Sequence, residues 1–225
     1  MALPSVPFEH GSLSQLGTSR RYRRDTALFE QGSPAEYVYI IESGYVKLSR
    51  VQGCGTRVVI GLRKAEAILG CGSALLSVPH CTTADSLTEC HVRQVPVNEF
   101  RAQVGMDSKL SRQLHLYQSR ELEDIVTAMA TLGGLSARCR LEMYLARTLP
   151  DPPPNPLAGA TPCRIMPPIR RGDLAALIGT TPEHLSRLLK ELEEAGIIRR
   201  EDGWLVVLDP AALRRAFAPP RLAAD

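Results

Sequence analysis

The sequence predicts an α+β protein with a β-rich N-terminal half, a long central helix and a helical C-terminal unit closed by a β-hairpin. Short alternating segments separated by glycine-bearing turns predict the first part. An apolar stripe with 3-4-3 spacing predicts the second, and two short helices around a glycine turn predict the third. A chain of 225 residues can hold two modest domains with separate cores.

The β-rich half runs from about Thr26 to Phe100. Its strand-like segments recur at intervals of roughly ten residues, which is typical of an antiparallel jelly-roll or small barrel. They are Tyr37–Ile41, Tyr45–Arg50, Thr56–Leu62 and His91–Val97. The first twenty residues lack periodicity, so we expect a loosely held tail over 1–20 and a β-roll domain over 21–105.

A helical region is predicted from about Asn98 to Leu132. Its apolar stripe has the narrow seam expected when two long helices pair, although packing against the chain's own barrel would give the same pattern. We therefore predict a dimerisation helix over 106–133. The seam consists of Leu122, Ile125, Met129 and Leu132.

Two adjacent glycines, Gly133 and Gly134, end this pattern. Glycine lowers helix stability, so we expect a break and a bend there. Ser136 or a neighbour can then start a further helix through Thr148, and the proline-dense stretch Asp151–Pro168 is predicted to be a loop. Residues 134–225 form the predicted C-terminal domain.

The segment Gly172–Gly179 predicts a short helix that ends at its last glycine. Thr181 is a good N-cap for a second helix, and Pro182 fits the first helical position because its missing N–H needs no partner there. Two helices joined by such a turn make a helix-turn-helix, a motif whose second helix lies in the DNA major groove.

The second helix has two different faces. Leucines at positions 185, 188, 189 and 192 form one stripe, and the polar residues Glu183, Ser186, Arg187 and Lys190 repeat that spacing on the opposite side. Taken alone, the polar residues are better explained as solvated surface charges. The preceding turn and the following hairpin instead favour a nucleic-acid-binding face.

The hairpin is predicted from Ile197–Arg200 and Trp204–Leu208 around the turn residues Asp202 and Gly203. A helix-turn-helix followed by a hairpin is a winged helix. Arg199 and Arg200 lie in the first wing strand, where we expect them to meet phosphates beside the groove.

This order of parts resembles the CRP/FNR superfamily of bacterial transcription regulators. The matching motifs are Leu28–Gly32, Tyr39–Leu48 and the helix-turn-helix, and the resemblance covers nearly the whole chain after the tail. It implies a cupin-like β-roll sensor domain, a dimerisation helix and a winged helix-turn-helix. It also implies an activator that binds a palindromic DNA site as a homodimer, with RNA polymerase as a protein partner.

The pattern of Glu183, Ser186 and Arg187 is similar to the FNR branch, which implies a TTGAT-type half-site. Arg187 can bind guanine O6 and N7, and Glu183 can accept from a cytosine amine. Ser186 can meet a base edge or a thymine methyl group. The remaining predicted DNA contacts, most of them to phosphates, are Lys190, Arg171, Thr180, Thr181 and His184.

The expected effector pocket comprises Gly70, Cys71, Ser73, Thr82, Thr83 and Ile125. In cyclic-nucleotide-binding relatives, the resemblance implies a Gly-Glu pair for the ribose and an arginine for the cyclic phosphate. Here Cys71 replaces the carboxylate and Thr82 replaces the arginine. Without that guanidinium a buried phosphate lacks a strong bidentate partner, so the sequence argues against cyclic AMP as the effector.

Other effectors stay open. No cysteine precedes Cys54, so the N-terminal cysteine cluster of FNR-type iron–sulfur sensors is missing from this sequence. Haem ligation by residues such as His80, Cys81, His91 or Cys71 is an alternative, and ordinary structural roles for these residues are favoured. A thiol switch at Cys71, Cys81 or Cys90 is a further alternative, and the effector remains unknown.

The composition excludes several other classes. The net charge of +3 is too small to give the protein a strong positive field overall, so DNA affinity must come from local placement of arginine and lysine. There is no H-x-H pair for a cupin metal centre and no nucleophile–base constellation, so we do not expect an enzyme. Without a membrane-spanning run or signal peptide, the expected location is the cytoplasm.

Overall fold

The structure, a computed structural model, describes residues 8, 11–149, 162–166, 170–202 and 204–216, apart from the side chains of residues 131–133, 166, 215 and 216. The chain folds into two compact units, Met1–Ala128 and Met129–Asp225. In the part of the chain that the structure describes, no helix is both long and apolar enough to cross a membrane.

Two four-stranded antiparallel sheets build the first unit, which confirms the predicted jelly-roll. Their strand orders are β1-β8-β3-β6 and β2-β7-β4-β5. The strands are β1 (Thr18–Tyr22), β2 (Ala27–Phe29), β3 (Tyr37–Ser43), β4 (Tyr45–Val51), β5 (Arg57–Lys64), β6 (Ile68–Leu69), β7 (Thr83–Ser86) and β8 (Cys90–Pro96), with the short helix α1 (Cys71–Leu76) between β6 and β7.

Strand β3 supplies both cores of this unit because its side chains alternate between the two faces of the sheet. Val38 and Ile40 belong to a cluster that includes residues of the following helices, whereas Tyr39 and Ile41 belong to a second cluster with residues from both sheets. All four are buried. The run of apolar residues in β3 is therefore explained by the burial of both faces of this strand.

The expected loose tail is wrong for its described part. Residues Gly11–Gln15 form a 3-10 helix, and β1 already begins at Thr18. Phe8 and Leu13 lie in the core cluster next to Leu110 and Leu114. Phe8 and Leu13 have no periodic partners nearby in sequence, so the local pattern did not reveal that they fill this space.

The helical region consists of α2 (Val97–Met106) and α3 (Ser108–Gly134), separated at Asp107. The Asp107 carboxylate accepts from the Leu110 backbone N–H at 3.0 Å and from the Ser12 hydroxyl at 2.9 Å. These bonds favour the charged form and lower the pKa of Asp107. Asp107 therefore caps α3 and divides the predicted helical region into two helices.

The predicted break at Gly133 and Gly134 lies slightly too early. Helix α3 extends through Gly134, and α4 (Ala137–Thr148) begins after Ser136. The Ser136 side chain accepts from the Cys139 backbone N–H at 3.2 Å, which confirms the predicted N-cap. A serine cap that starts a new helix, rather than the glycines themselves, sets the boundary.

The second unit combines α4 with a three-stranded antiparallel sheet of order β10-β11-β9 and three further helices. The remaining elements are β9 (Cys163–Met166), α5 (Arg171–Ile178), α6 (Pro182–Glu194), β10 (Ile198–Glu201), β11 (Trp204–Val207) and α7 (Pro210–Ala216). Strand β9 falls within the stretch Asp151–Pro168 that was expected to be a loop. It pairs with β11, a partner that local sequence cannot reveal.

The wing hairpin has the predicted form. Glu201 pairs with Trp204, so two residues connect the strands. Asp202 has a φ of 50°, the left-handed conformation that such tight turns need. Gly203, the other predicted turn residue, lies outside the described residues.

The packing of the N-terminal segment gives a stability prediction. Leu13→Ala should lower the free energy of unfolding by about 2–5 kcal/mol, because a fully buried leucine leaves a cavity when it is truncated. Chemical denaturation monitored by circular dichroism measures this loss. Gln15→Ala, an exposed residue of the same 3-10 helix, is the matched control and should change stability little. Equal effects of the two substitutions would contradict a packed N-terminal segment.

Candidate nucleic-acid interface

Helix α6 is positioned by the turn that precedes it. Gly179 ends α5 with a φ of 72°. The Thr181 hydroxyl oxygen then accepts from the His184 backbone N–H at 3.2 Å, and Pro182 occupies the first helical turn. These contacts confirm the predicted capping of both helices and fix the angle at which α6 leaves the turn.

The two faces of α6 are separated as the periodicity predicts. All four leucines of the apolar stripe are buried. Glu183, Arg187 and Lys190 are exposed on the other side. Within the described residues, Glu183 and Arg187 have no ion-pair partner, whereas Lys190 Nζ lies 3.6 Å from Glu194. An exposed pair of that kind contributes at most about 1 kcal/mol, so Lys190 can exchange Glu194 for a phosphate.

Ser186 is more constrained than its exposed neighbours. Its hydroxyl donates to the Pro182 carbonyl at 2.8 Å, so the proton is used within the helix. Arg171 Nη1 donates to the same oxygen at 3.4 Å. The structure thus brings Arg171, from the start of α5, next to the polar face of α6.

A surface depression of about 540 Å³ lies at the turn between the two helices. Four of the predicted DNA-contacting residues line it together with two small residues of α5 and the turn. The lining residues are Ala176, Gly179, Thr180, Thr181, His184 and Arg187. Backbone atoms of the turn and the Arg187 guanidinium therefore share one open surface.

The wing arginines differ from each other. Arg200 forms a two-pronged ion pair with Glu193 of α6, at 2.6 and 2.5 Å. Arg200 lowers the pKa of the Glu193 carboxyl, and this guanidinium is occupied in joining the wing to α6. The phosphate contact of Arg200 stays a prediction, and in the free chain this side chain pairs with Glu193. Arg199 is more exposed and lies 3.6 Å from Glu201, so it stays available for a phosphate.

Two arginines of α4 form hydrogen bonds to the helix-turn-helix motif. Arg138 donates to Glu142 at 2.9 Å and to Glu191 of α6 at 3.0 Å. Arg140 donates to main-chain carbonyls of Ile178 and Gly179 at 2.7 and 2.9 Å. Neither role was predicted, because the local sequence around an arginine does not show which distant residues its side chain contacts in the folded chain.

The structure brings together only some of the residues predicted to line the effector pocket. Gly70, with a φ of 76°, precedes Cys71 and Ser73 on α1. Thr82 and Thr83 are half-buried, and the Thr83 hydroxyl accepts from the Gln31 backbone N–H at 3.0 Å. Ile125 is exposed on α3, and the α3 side chain that reaches Cys71 is Gln118, at 3.9 Å. The place of Ile125 in the pocket stays a prediction, and Gln118, two turns earlier on α3, is the residue that contacts Cys71.

A buried ion pair between the roll and α3 was not predicted. Arg63 of β5 donates to Glu121 of α3 at 2.8 Å, with side-chain exposures of only 8% and 27%. Arg63 Nε and the Tyr117 hydroxyl are buried without a hydrogen-bond partner in the described part of the chain. Arg63 interrupts an apolar strand, which is the one sequence feature that could have pointed to it.

Two cysteines of the roll, Cys71 and Cys90, are buried and behave as core residues. Burial, together with the nearby Glu121 charge, raises the pKa of Cys71 to about 11, so its thiol stays protonated at neutral pH. Burial also raises the pKa of Cys90, whose thiol donates to the Tyr45 carbonyl at 3.3 Å. Cys81 is exposed. A protonated thiol is a poor nucleophile, which disfavours a thiol switch at Cys71 or Cys90.

His80, considered above as a haem ligand, packs as an aromatic core residue. Its ring stacks on Phe29 with centroids 3.9 Å apart, and its backbone N–H donates to Ser33. His91 and Cys81 are exposed. Among the described residues, no group of three or more His, Cys, Asp or Glu side chains is placed to hold a metal ion.

The predicted seam of α3 is uncovered in the single chain. Leu122 and Met129 are 61% and 68% exposed, and Ile125 and Val126 are exposed as well. The fourth predicted seam residue, Leu132, has a side chain outside the described residues. Leu122 and Ile125 are therefore not covered by the roll, and exposed apolar side chains of this kind mark interaction surfaces.

The comparisons with known proteins agree with this arrangement. Residues 19–106 match the cyclic nucleotide-binding domain family, and residues 140–216 match the Crp-like helix-turn-helix family. The chain belongs to the CRP/FNR superfamily of DNA-binding transcription regulators.

Individual relatives extend along most of the chain. The nitrogen fixation regulation protein FixK of Azorhizobium caulinodans is 28% identical over 90% of this chain and 80% of its own length. An anaerobic regulatory protein of Pasteurella multocida is 23% identical over 85% and 68%. The structure of FixK2 from Bradyrhizobium japonicum is 25% identical and superposes with a TM-score of 0.76, covering 91% of this chain and 99% of that one.

The Arg63–Glu121 pair gives a second stability prediction. Glu121→Gln should lower the free energy of unfolding by about 3 kcal/mol, because it leaves a buried guanidinium uncompensated. The double variant Arg63→Met/Glu121→Met should be close to the wild type, since it removes both charges. Denaturant titrations of both variants measure these effects. A double variant as unstable as Glu121→Gln would contradict the pairing.

Proposed function

We propose that the protein acts as a homodimer that recognises a palindromic DNA site of the TTGAT type through α6. The observation that carries this proposal is the exposed polar face of α6, whose Arg187 and Glu183 have no ion-pair partner among the described residues, opposite a fully buried leucine stripe. A helix held this way can enter a major groove with its polar side chains free to bind.

Base recognition is assigned to three residues. Arg187 binds guanine O6 and N7 through two parallel hydrogen bonds, and Glu183 accepts from the amine of a cytosine. Ser186 donates its proton within the helix, so it meets DNA through its oxygen or its methylene group. This combination carries the sequence preference.

The remaining contacts position the protein without selecting sequence. Lys190, Arg171 and Arg199 are exposed cations around α6 and the wing, suited to phosphates. Thr180, Thr181 and His184 line the depression beside Arg187, where backbone and side-chain donors can meet the DNA backbone. Arg200 supports the wing through Glu193 instead.

The proposed dimer forms along α3. Leu122, Ile125 and Met129 are exposed at helical spacing, and pairing two such helices removes apolar surface from water. Leu132 continues the spacing in the sequence. A dimer supplies the two recognition helices that a palindrome requires. RNA polymerase is the further protein partner that the family resemblance implies.

In the sensor role, we propose an effector other than cyclic AMP. Cys71 and Thr82 cannot supply the carboxylate and guanidinium expected for ribose and phosphate, and Arg63 is already paired with Glu121. A signal of another chemical class in the roll, or haem bound there, remains the alternative within the same fold.

The role of Arg187 is tested by substitution. Arg187→Ala should weaken binding to a TTGAT palindrome by about 1–3 kcal/mol and relax discrimination at one base pair. Lys190→Ala is the matched control: it should weaken binding to all sequences about equally and reduce the salt dependence, because it removes only a phosphate contact. Gel-shift titrations on matched and single-mismatch duplexes measure both. Wild-type affinity and discrimination in Arg187→Ala would remove Arg187 from base recognition.

A cyclic-nucleotide-binding module is the competing function, favoured only by the family match of the roll. Isothermal titration of the full-length protein with cyclic AMP should give no saturable heat. Saturable binding with a micromolar dissociation constant would overturn the inference drawn from Cys71 and Thr82.

A further inference from the structure

Arg140 binds three main-chain carbonyls with one side chain. Its Nε donates to Ile178 O at 2.7 Å, Nη2 to Gly179 O at 2.9 Å and Nη1 to Leu135 O at 2.6 Å. All three distances are those of good hydrogen bonds.

The carbonyls at Ile178 and Gly179 need such a partner. The last carbonyls of a helix have no partner within it, and Gly179 has already turned away in the left-handed conformation. A planar guanidinium has fixed donors that can reach two neighbouring carbonyls at once, whereas an ammonium group is a single point charge. Arg140 therefore fixes the direction of the peptide groups at the turn as well as closing α5.

The third carbonyl links this turn to another part of the chain. Leu135 is the residue directly after α3, and Ser136 is the N-cap of α4. The same guanidinium thus fixes the end of the long helix relative to Gly179. Gly179 lines the depression that also contains Thr181 and Arg187.

We propose that Arg140 is a positioning residue for DNA recognition: it aligns the turn, and through it α6, with the segment that follows α3, without touching DNA. This inference rests on the proposed function. Its distinctive consequence is a loss of sequence discrimination while electrostatic attraction to DNA is kept.

The test is Arg140→Lys in the full-length protein. The substitution keeps the positive charge and loses the planar fork. Affinity is measured on the TTGAT palindrome and on an unrelated duplex of equal length, each at several salt concentrations, with melting followed by circular dichroism. Arg147→Lys is the matched control, because Arg147 is an exposed arginine in the last turn of the same helix and the substitution keeps its charge.

For Arg140→Lys we expect about tenfold weaker binding to the palindrome, since hydrogen bonds from a charged donor are lost. Binding to the unrelated duplex and the salt slope should stay as in the wild type, and Arg147→Lys should resemble the wild type on both duplexes. An unchanged preference for the palindrome would overturn the proposal. So would an equal loss on both duplexes with a lowered melting temperature, which would mean a purely structural role.

If the wild type itself binds the palindrome no better than the unrelated duplex, the proposed function fails before Arg140 is tested. If the wild type prefers the palindrome and Arg140→Lys does so equally, only the role of Arg140 fails. The two failures are therefore distinguishable in one experiment.

Discussion

Burial of the leucine stripe of α6 is the constraint on which the proposed DNA-facing surface depends. Each buried leucine contributes about 2 kcal/mol, and four of them lie on one side of this helix. Rotating α6 would expose that stripe, so the opposite face has to point outward. The cap at Thr181 and the ion pair between Arg200 and Glu193 then set the tilt of a helix whose rotation is already fixed.

The features that sequence could predict are those encoded within a few neighbouring residues. The caps at Thr181 and Ser136, the left-handed Gly179, the leucine stripe and the two-residue wing turn all follow from local spacing and backbone chemistry. The features that sequence missed join distant residues. Strand β9, the packing of Leu13 and the partners of Arg140 depend on which segments meet in the folded chain.

The interior of the roll also contains a long-range contact that local sequence could not predict. Cys71 and Thr82, which stand where cyclic-nucleotide-binding relatives have a carboxylate and an arginine, predicted an altered site. They did not predict that Arg63 of β5 would pair with Glu121 of α3. A buried pair of this kind contributes little net stability, because desolvation offsets the attraction, yet it is costly to break on one side. We therefore regard it as a specific connection between the sensor roll and α3.

The central claim is that two copies of this chain present two α6 helices to one duplex, and selection from a random-sequence DNA pool with the purified full-length protein tests it most directly. The account predicts an enriched palindrome of TTGAT-like half-sites whose centres lie about one helical turn, roughly 10 base pairs, apart. Enrichment of a single half-site without a symmetric partner, or of no sequence, would contradict it.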